Sequence, residues 1–250
     1  CYMERFLRPV KHIEMQVLCD KMGHVVCLGE RDCSIQRKNQ KLLEESPSPF
    51  VTAEMRAKMM EAAAAVAKAV QYENVGTIEF LVDQERNFYF MEMNTRLQVE
   101  HPVTELVTGI DLVKWQIRTA AGLPLPFRQE DIVFNGCSIE CRINAEDPSN
   151  QFAPSCGRIS LLHIPGGPWV RFDTALYQDY LVPPYYDSLL GKLIVCAQTR
   201  EEAIRKMRAA LCELVIEGVA HTADLHLDIL ETPEFRAGTY TTDFMEKRGS

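Results

Sequence analysis

The sequence is 250 residues long, which corresponds to one large domain or two small ones. Hydrophobic residues make up 46% and charged residues 25% of the chain. These values are ordinary for a globular protein and exclude a disordered, collagen-like or coiled-coil chain. The net charge of −8 disfavours a nucleic-acid partner, because an acidic protein repels phosphate backbones.

The nine cysteines are scattered and form no CxxC pair. This pattern predicts free thiols in a cytoplasmic, reducing compartment and neither a disulfide framework nor a zinc site. The longest apolar run, 62–70, is short and contains Lys68, so we expect no membrane span, and the N-terminus lacks the pattern of a signal peptide. The chain starts at Cys1 and not at Met, from which we expect a fragment.

In the first third of the chain, alternating residues predict strands over 12–19 and 24–31, joined by a turn at 20–23. Prolines at 47 and 49 predict a break, after which Thr52 is expected to cap a long helix over 53–72. Two β-rich runs, 75–83 and 88–94, then flank a turn and predict a hairpin. A register symmetric about the turn gives the pairs Asp83–Phe88, Leu81–Phe90 and Glu79–Glu92.

The second half begins after two predicted helices, of which the second starts at Asp111 and ends at Gly122. A linker at 123–126 precedes strands expected over 137–144, 158–164, 169–173 and 190–197. A capping box at Thr199 opens a helix over 200–214. The pattern predicts an α/β protein with two domains, 1–128 and 129–250.

Glu79, Glu92 and Asn94 form the sharpest chemical pattern. Cross-strand carboxylates repel each other, so such a pair needs a shared proton, a lysine or a divalent cation between its members. Two carboxylates and an amide are oxygen ligands that suit Mg²⁺ or Mn²⁺. The alternative is a solvated pair at the edge of a sheet, and the pairing alone does not decide between the two.

The loop after this hairpin places Arg96, Gln98 and Glu100 at alternate positions, which point the same way in an extended chain. Arg96 offers a planar fork for an oxyanion, and Glu100 is a candidate general base beside it. The alternative is an Arg96–Glu100 ion pair at the surface. The basic, amide-rich stretch 32–41 is either a phosphate contact or a solvated strand.

Five runs of the sequence closely resemble biotin carboxylase, an ATP-grasp enzyme. They are HIEMQV at 12–17, ERDCSIQR at 30–37, EMNTRLQVEHPVTE at 92–105, ECRINAEDP at 140–148 and PPYYDS at 183–188. The resemblance covers essentially the whole chain. It implies the second half of an ATP-grasp domain followed by a mixed α/β C-terminal domain, in the enzyme that carboxylates biotin for acetyl-CoA, propionyl-CoA and pyruvate carboxylases.

The resemblance also implies roles for individual residues. The implied ATP-binding residues are Glu4, Arg5, Phe6, Leu7, His12, Gln36, Asn39, Glu79 and Glu92. The implied metal ligands are Glu79, Glu92 and Asn94. The implied bicarbonate-binding residues are Lys41, Arg96, Gln98, Val99 and Arg142. The implied catalytic residues are Arg96, Glu100 as the base for bicarbonate, Lys41, and Arg142, which would also bind biotin and stabilise its enolate. Asn39 departs from the family, which often has His there.

The implied reaction uses Mg²⁺ or Mn²⁺, with ATP as substrate, bicarbonate as carbon source and biotin as carboxyl acceptor. The implied partners are a biotin carboxyl carrier protein or domain, a carboxyltransferase component, and a second copy in a homodimer. An acetyl-CoA carboxylase of this kind would serve fatty acid biosynthesis. We expect the family's N-terminal domain and glycine-rich lid to lie outside this chain, which would leave the isolated chain inactive. The alternatives are another ATP-grasp ligase and a catalytically silent nucleotide-binding fragment.

Overall fold

The computed structural model describes residues 1, 3 and 5–249. Its strands are β1 (Lys11–Cys19), β2 (Val25–Arg37), β3 (Gln40–Ser46), β4 (Asn74–Val82), β5 (Phe88–Asn94), β6 (Cys137–Asn144), β7 (Glu146–Asp147), β8 (Ala153–Pro154), β9 (Gly157–Arg158), β10 (Leu161–His163), β11 (Val170–Thr174), β12 (Leu181–Val182), β13 (Leu189–Ala197) and β14 (Val215–Glu217). Its α-helices are α1 (Ala53–Ala69), α2 (His101–Thr108), α3 (Leu112–Ala120), α4 (Arg200–Glu213), α5 (Ala223–Glu231), α6 (Pro233–Ala237) and α7 (Phe244–Lys247).

One eight-stranded sheet organises the chain, in the order β11-β13-β6-β3-β2-β1-β4-β5. Its neighbouring strands are all antiparallel. The sheet crosses the boundary that the sequence predicts at 128/129, because β3 from the first half pairs with β6 from the second. The result is a mixed α/β protein, and its division into two domains stays a prediction.

Helices cover the sheet and form the main cores with it. Helix α1 packs its buried Met59 and Ala63 against Ile13 and Met15 of β1. Helix α4 and the C-terminal helices cover β6 and β13 in a second, larger core. Thr52 caps α1 by accepting a hydrogen bond from Met55 N at 3.2 Å, as the sequence predicts. Among the described residues, no helix is both long and apolar enough to cross a membrane.

The stretch 32–41 is not a solvated strand. Strand β2 continues past its predicted end near residue 31 to Arg37, turns at Lys38 and Asn39 with positive φ angles of 49° and 63°, and returns as β3. β2 lies between β1 and β3, so Cys33 and Ile35 are buried within the sheet. The sequence predicts a shorter strand because the polar residues in the second half of β2 break the hydrophobic alternation, although they are buried and paired in the protein.

Other predicted elements have different ends. The helix expected to reach residue 72 ends at Ala69, and the strand expected over 158–164 is split into β9 and β10. The split follows from pairing, since β9 joins β12 whereas β10 joins β14. Strand β6 and the capping box of α4 lie where the sequence predicts them.

The hairpin β4–β5 pairs Glu79 with Glu92, as predicted, but the register near the turn is wrong by one residue. Leu81 faces Tyr89 instead of Phe90, because Asp83 is part of the turn and binds the backbone of Asn87. A bulge between residues 79 and 80 then shifts the register and restores the glutamate pair.

Candidate active site

A cavity of about 1170 Å³ opens over the sheet between the two halves of the chain. It brings together every predicted site residue that the structure describes, and Glu4 lies outside the described residues. The predicted residues that line the cavity are Arg5, Phe6, Leu7, His12, Gln36, Asn39, Lys41, Glu79, Glu92, Asn94, Arg96, Gln98, Val99, Glu100 and Arg142.

Strand pairing explains why residues so far apart in sequence meet. His12, Lys41 and Arg142 lie on three strands of the sheet, β1, β3 and β6. Glu79 lies on β4 next to β1, and its register partner there is Glu14. The loop after β5 then returns over the sheet, so that Glu100 stands at the start of α2 facing the same cavity.

Lys41 is the centre of the cluster. Its Nζ lies 2.5 Å from Glu14 Oε2, 2.5 Å from Glu100 Oε1 and 3.2 Å from Glu79 Oε1. Burial alone would lower the pKa of Lys41, but the charges of these carboxylates outweigh it and raise that pKa. The ammonium group of Lys41 therefore stays charged at neutral pH.

Glu14 is a site residue that sequence reasoning missed. It is fully buried and also accepts a 2.6 Å hydrogen bond from Arg31 Nε. Burial raises the pKa of Glu14, but Lys41 and Arg31 together bring it down to about 2. The sequence feature that could have indicated Glu14 is its position in the middle of a predicted strand, as a charged residue between the apolar Ile13 and Met15.

Glu100 is held by two cations, neither of which is Arg96. Lys41 binds one carboxylate oxygen, and Arg142 Nη2 binds Oε2 at 2.9 Å. Arg96 is exposed and donates to Leu97 O at 3.3 Å. Among the described residues no Arg96–Glu100 ion pair is present, so the alternative interpretation of the loop as a surface ion pair is wrong.

Gln98 is less available to a ligand than its position in the sequence suggests. Its Nε2 donates to Glu79 Oε1 at 2.6 Å, and its Oε1 accepts from Arg31 Nη2 at 3.1 Å. Gln98 thus links a buried cation to the carboxylate cluster. The neighbouring Val99 is fixed through its carbonyl oxygen, which accepts a 2.7 Å hydrogen bond from Lys192 Nζ.

The predicted metal ligands lie side by side. The Nδ2 group of Asn94 donates to Glu79 Oε1 at 3.0 Å and to Glu92 Oε1 at 3.1 Å. Glu79 is 3% exposed, whereas Glu92 is exposed, so only one member of the pair could be a solvated surface glutamate. Two carboxylates and an amide give a set of hard oxygen donors, and these residues therefore fit Mg²⁺.

His12 connects this pair to the rest of the cavity. Its Nδ1 accepts from Gln36 Nε2 at 2.7 Å, so the other ring nitrogen carries the proton and donates to Glu79 Oε2 at 2.6 Å. Burial raises the pKa of Glu79, but the hydrogen bond from His12, together with the charge of Lys41, lowers it to about 2. Glu79 is therefore ionised at neutral pH.

Comparison with known proteins gives the class first. Residues 1–128 match the family model described as "Carbamoyl-phosphate synthase L chain, ATP binding domain". Residues 140–247 match the "Biotin carboxylase C-terminal domain". Together the two matches place the chain in the class of proteins that joins these two kinds of domain.

Individual relatives are more specific. The chain is 57% identical over 247 residues to the chloroplastic biotin carboxylase of Arabidopsis thaliana, covering 99% of this chain and 46% of that protein. It is 54% identical to biotin carboxylase 1 of Bacillus subtilis, covering 98% of this chain and 55% of the relative. The chain belongs to the biotin carboxylase family and spans about half the length of the curated relatives it matches.

A solved structure agrees with this assignment. The chain is similar to the biotin carboxylase domain of 2-oxoglutarate carboxylase from Hydrogenobacter thermophilus, a structure of a dimer in complex with MgADP, ADP and bicarbonate. The TM-score is 0.96 at 52% identity, and the match covers 98% of this chain and 54% of the other.

Proposed function

We propose that this chain supplies the metal, bicarbonate and biotin residues of a biotin carboxylase, which carboxylates biotin at the expense of ATP. The observation that carries the proposal is one cavity lined by two chemically distinct groups of side chains, here called the metal end and the anion end, which meet where Lys41 contacts Glu79. One end has the oxygen ligands Glu79, Glu92 and Asn94. The other end has the cations Lys41, Arg96 and Arg142, of which Lys41 and Arg142 bind the carboxylate of Glu100.

At the anion end, Arg96 is free to bind bicarbonate, because its guanidinium group is exposed in the cavity and its one hydrogen-bond partner among the described residues is a backbone carbonyl. Glu100 takes the proton of bicarbonate. Lys41 and Arg142 hold the Glu100 carboxylate in place. Bicarbonate oxygen then attacks the γ-phosphorus of ATP, which forms carboxyphosphate and releases ADP. Carboxyphosphate breaks into CO₂ and phosphate, and the phosphate takes the N1 proton of biotin. The resulting biotin enolate, which Arg142 stabilises, attacks CO₂ through N1.

At the other end, Glu79, Glu92 and Asn94 would hold Mg²⁺, or Mn²⁺ with its similar ligand preference. When bound, the ion neutralises charge on the phosphate oxygens. Residues Arg5, Phe6 and Leu7 line the rim, where we place the adenine, with Gln36 and Asn39 nearby as nucleotide contacts.

The proposed partners are a biotin carboxyl carrier protein or domain, a carboxyltransferase component and a second copy of the protein in a homodimer. The final carboxyl acceptor, and with it a place in fatty acid biosynthesis, is set by the carboxyltransferase. The nine cysteines are all free. They support a reducing compartment, for which we propose the cytoplasm, although some relatives are chloroplastic.

The test is phosphate release by a full-length protein that contains this chain, measured with and without bicarbonate and free biotin. We expect Glu92→Gln to abolish ATP cleavage, because it removes a charged ligand from the metal end. Glu85→Gln, at the exposed turn of the same hairpin, is the matched control and should retain activity. Near-normal turnover in Glu92→Gln would contradict the assignment of this end of the cavity.

A further inference from the structure

Two buried carboxyl groups that the proposed mechanism does not use face each other below the site. Glu44 on β3 is the register partner of Glu140 on β6. Both side chains are fully buried. Directly paired residues on neighbouring strands have Cβ atoms about 4.5–5.5 Å apart, and two like charges at that distance destabilise the sheet.

The hydrogen bonds of the pair are one-sided. Glu44 Oε1 accepts from Arg142 Nε at 2.7 Å. Among the described residues, Glu44 Oε2 and both oxygens of Glu140 have no hydrogen-bond partner. Buried polar atoms are almost always paired, and a buried carboxylate without donors is especially unfavourable.

The charged groups around Glu140 are engaged elsewhere. Lys192 Nζ donates to Val99 O at 2.7 Å, and Arg142 divides its hydrogen bonds between Glu44 and Glu100. Lys41, which also faces Glu44, is held by its own three carboxylates. Each nearby cation therefore has another acceptor, and Glu140 is left with a carboxyl neighbour.

The electrostatics agree with this geometry. Burial, and after it the charge of Glu44, raise the pKa of Glu140 well above its ordinary value. Burial also raises the pKa of Glu44, to about 7, even though Arg142 acts in the opposite direction. Glu44 is hydrogen-bonded to Arg142, whereas within the described part of the chain Glu140 has no hydrogen-bond partner, so the proton of the pair belongs on Glu140.

We propose that Glu140 is a neutral carboxylic acid that donates a hydrogen bond to Glu44, and that this pair is the positioning support of Arg142. The proton satisfies Glu44 Oε2, while Glu44 Oε1 holds the Nε group of Arg142. Arg142 Nη2 is thereby aimed at Glu100 Oε2, 2.9 Å away. Loss of the proton would place a second negative charge beside Arg142 and draw its guanidinium group away from Glu100.

The protonation is testable on the 250-residue chain without any ligand. In a sample with ¹³C-labelled glutamate carboxyl carbons, we expect one resonance to keep the position of a protonated acid at pH 7. That resonance should be absent from Glu140→Gln and present in Glu45→Gln. If no glutamate carbon of the unmodified chain is protonated at pH 7, the proposal is overturned, whether or not the variants fold.

Unfolding in urea gives a second readout. Glu45 is the matched control, because it is also buried but is bound by Arg200 and Tyr240. Glu45→Gln should raise the unfolding equilibrium constant by more than about tenfold at pH 7, since it weakens charge-assisted hydrogen bonds. Glu140→Gln mimics the neutral acid and should change it less. Equal destabilisation by the two variants would contradict a protonated Glu140.

The consequence for Arg142 rests on the proposed function and needs a separate measurement. In a full-length protein containing this chain, deprotonation of Glu140 should lower the maximal rate at alkaline pH. Glu140→Gln should remove that decline. If the alkaline decline is unchanged while the carbon resonance behaves as expected, Glu140 is protonated but does not position Arg142 for the reaction.

Discussion

Lys41 shows how much a single residue organises in this site. Its ammonium group contacts carboxylates from β1, from β4 and from the start of α2, which are far apart in the sequence. Removing one partner of a buried ion pair leaves an uncompensated charge and costs more than the pair itself contributes. The three carboxylates around Lys41 would repel one another without it.

We therefore expect Lys41→Met to lower the free energy of unfolding by about 3–5 kcal/mol at pH 7. Chemical denaturation measures this directly. Lys58→Met is the control, because Lys58 forms an exposed pair with Glu54 on α1 and should change stability by less than about 1 kcal/mol. Equal stability of the two variants would contradict a central position for Lys41.

The same cluster predicts a direction for the pH dependence of stability. Glu14 and Glu79 have pKa values lowered from 4.5 to about 2 in the folded chain. Their contribution is complete above the ordinary value and is lost as the pH falls from 4.5 towards 2. Lys41→Met should show a shallower loss over this window, because one cause of the lowered values is gone. Parallel acid-unfolding curves would contradict this.

Glu100 and Arg96 should differ in kinetic effect, because the structure separates them. In a full-length protein containing this chain, Glu100→Gln is expected to lower the maximal rate by about 10²–10⁴-fold with little change in ATP affinity. Arg96→Ala should also raise the bicarbonate concentration needed for half-maximal rate, because it removes an anion contact. Initial rates at varied bicarbonate decide this, and identical profiles would argue against separate roles.

Some site residues can be predicted from the sequence and others cannot. Glu79 and Glu92 were predictable from strand spacing, and Arg142 and Lys41 from family resemblance. Glu14, Glu44 and Glu140 were not singled out. In a strand buried on both faces, charged residues have no periodic pattern that separates site residues from solvated ones. Only the pairing of strands shows which buried charges meet.

At the scale of elements, the sequence predicts which segments are strands better than it predicts which residues of those strands are paired. The hairpin β4–β5 was predicted, and its glutamate pair is confirmed. The pairs closer to the turn were wrong, because the prediction left four residues, 84–87, between the strands, whereas the turn also includes Asp83. The turn at Asp83 and the bulge beside Glu79 are backbone features that depend on hydrogen bonds and not on hydrophobic alternation.

The cap of α1 gives a test at this scale. Thr52→Ala should lower the free energy of unfolding by about 1 kcal/mol, because Met55 N loses its acceptor at the first turn of the helix. Thr52→Ser keeps a hydroxyl group and is the matched control, with a smaller loss. A thermal or urea unfolding series compares the three chains, and an equal loss in both variants would show that the hydroxyl group is not the stabilising feature.

At the scale of the molecule, we expect the 250-residue chain alone to show no biotin-dependent ATP hydrolysis. It spans about half the length of its curated relatives, and phosphoryl transfer depends on positioning and charge neutralisation around the whole nucleotide. Phosphate release with bicarbonate and free biotin, compared between the chain and a full-length protein containing it, measures this. Robust turnover by the chain alone would show that its own residues suffice.

The pairing of β3 with β6 also bears on how the polypeptide could be divided. A cut in the segment between α3 and β6 would leave two pieces, each with a bare strand edge whose backbone groups have lost their partners. Because those edges match in register, the two pieces should reassemble when mixed, as in fragment complementation. Lys41 and Arg142 would then arrive from separate molecules and meet only through the restored sheet.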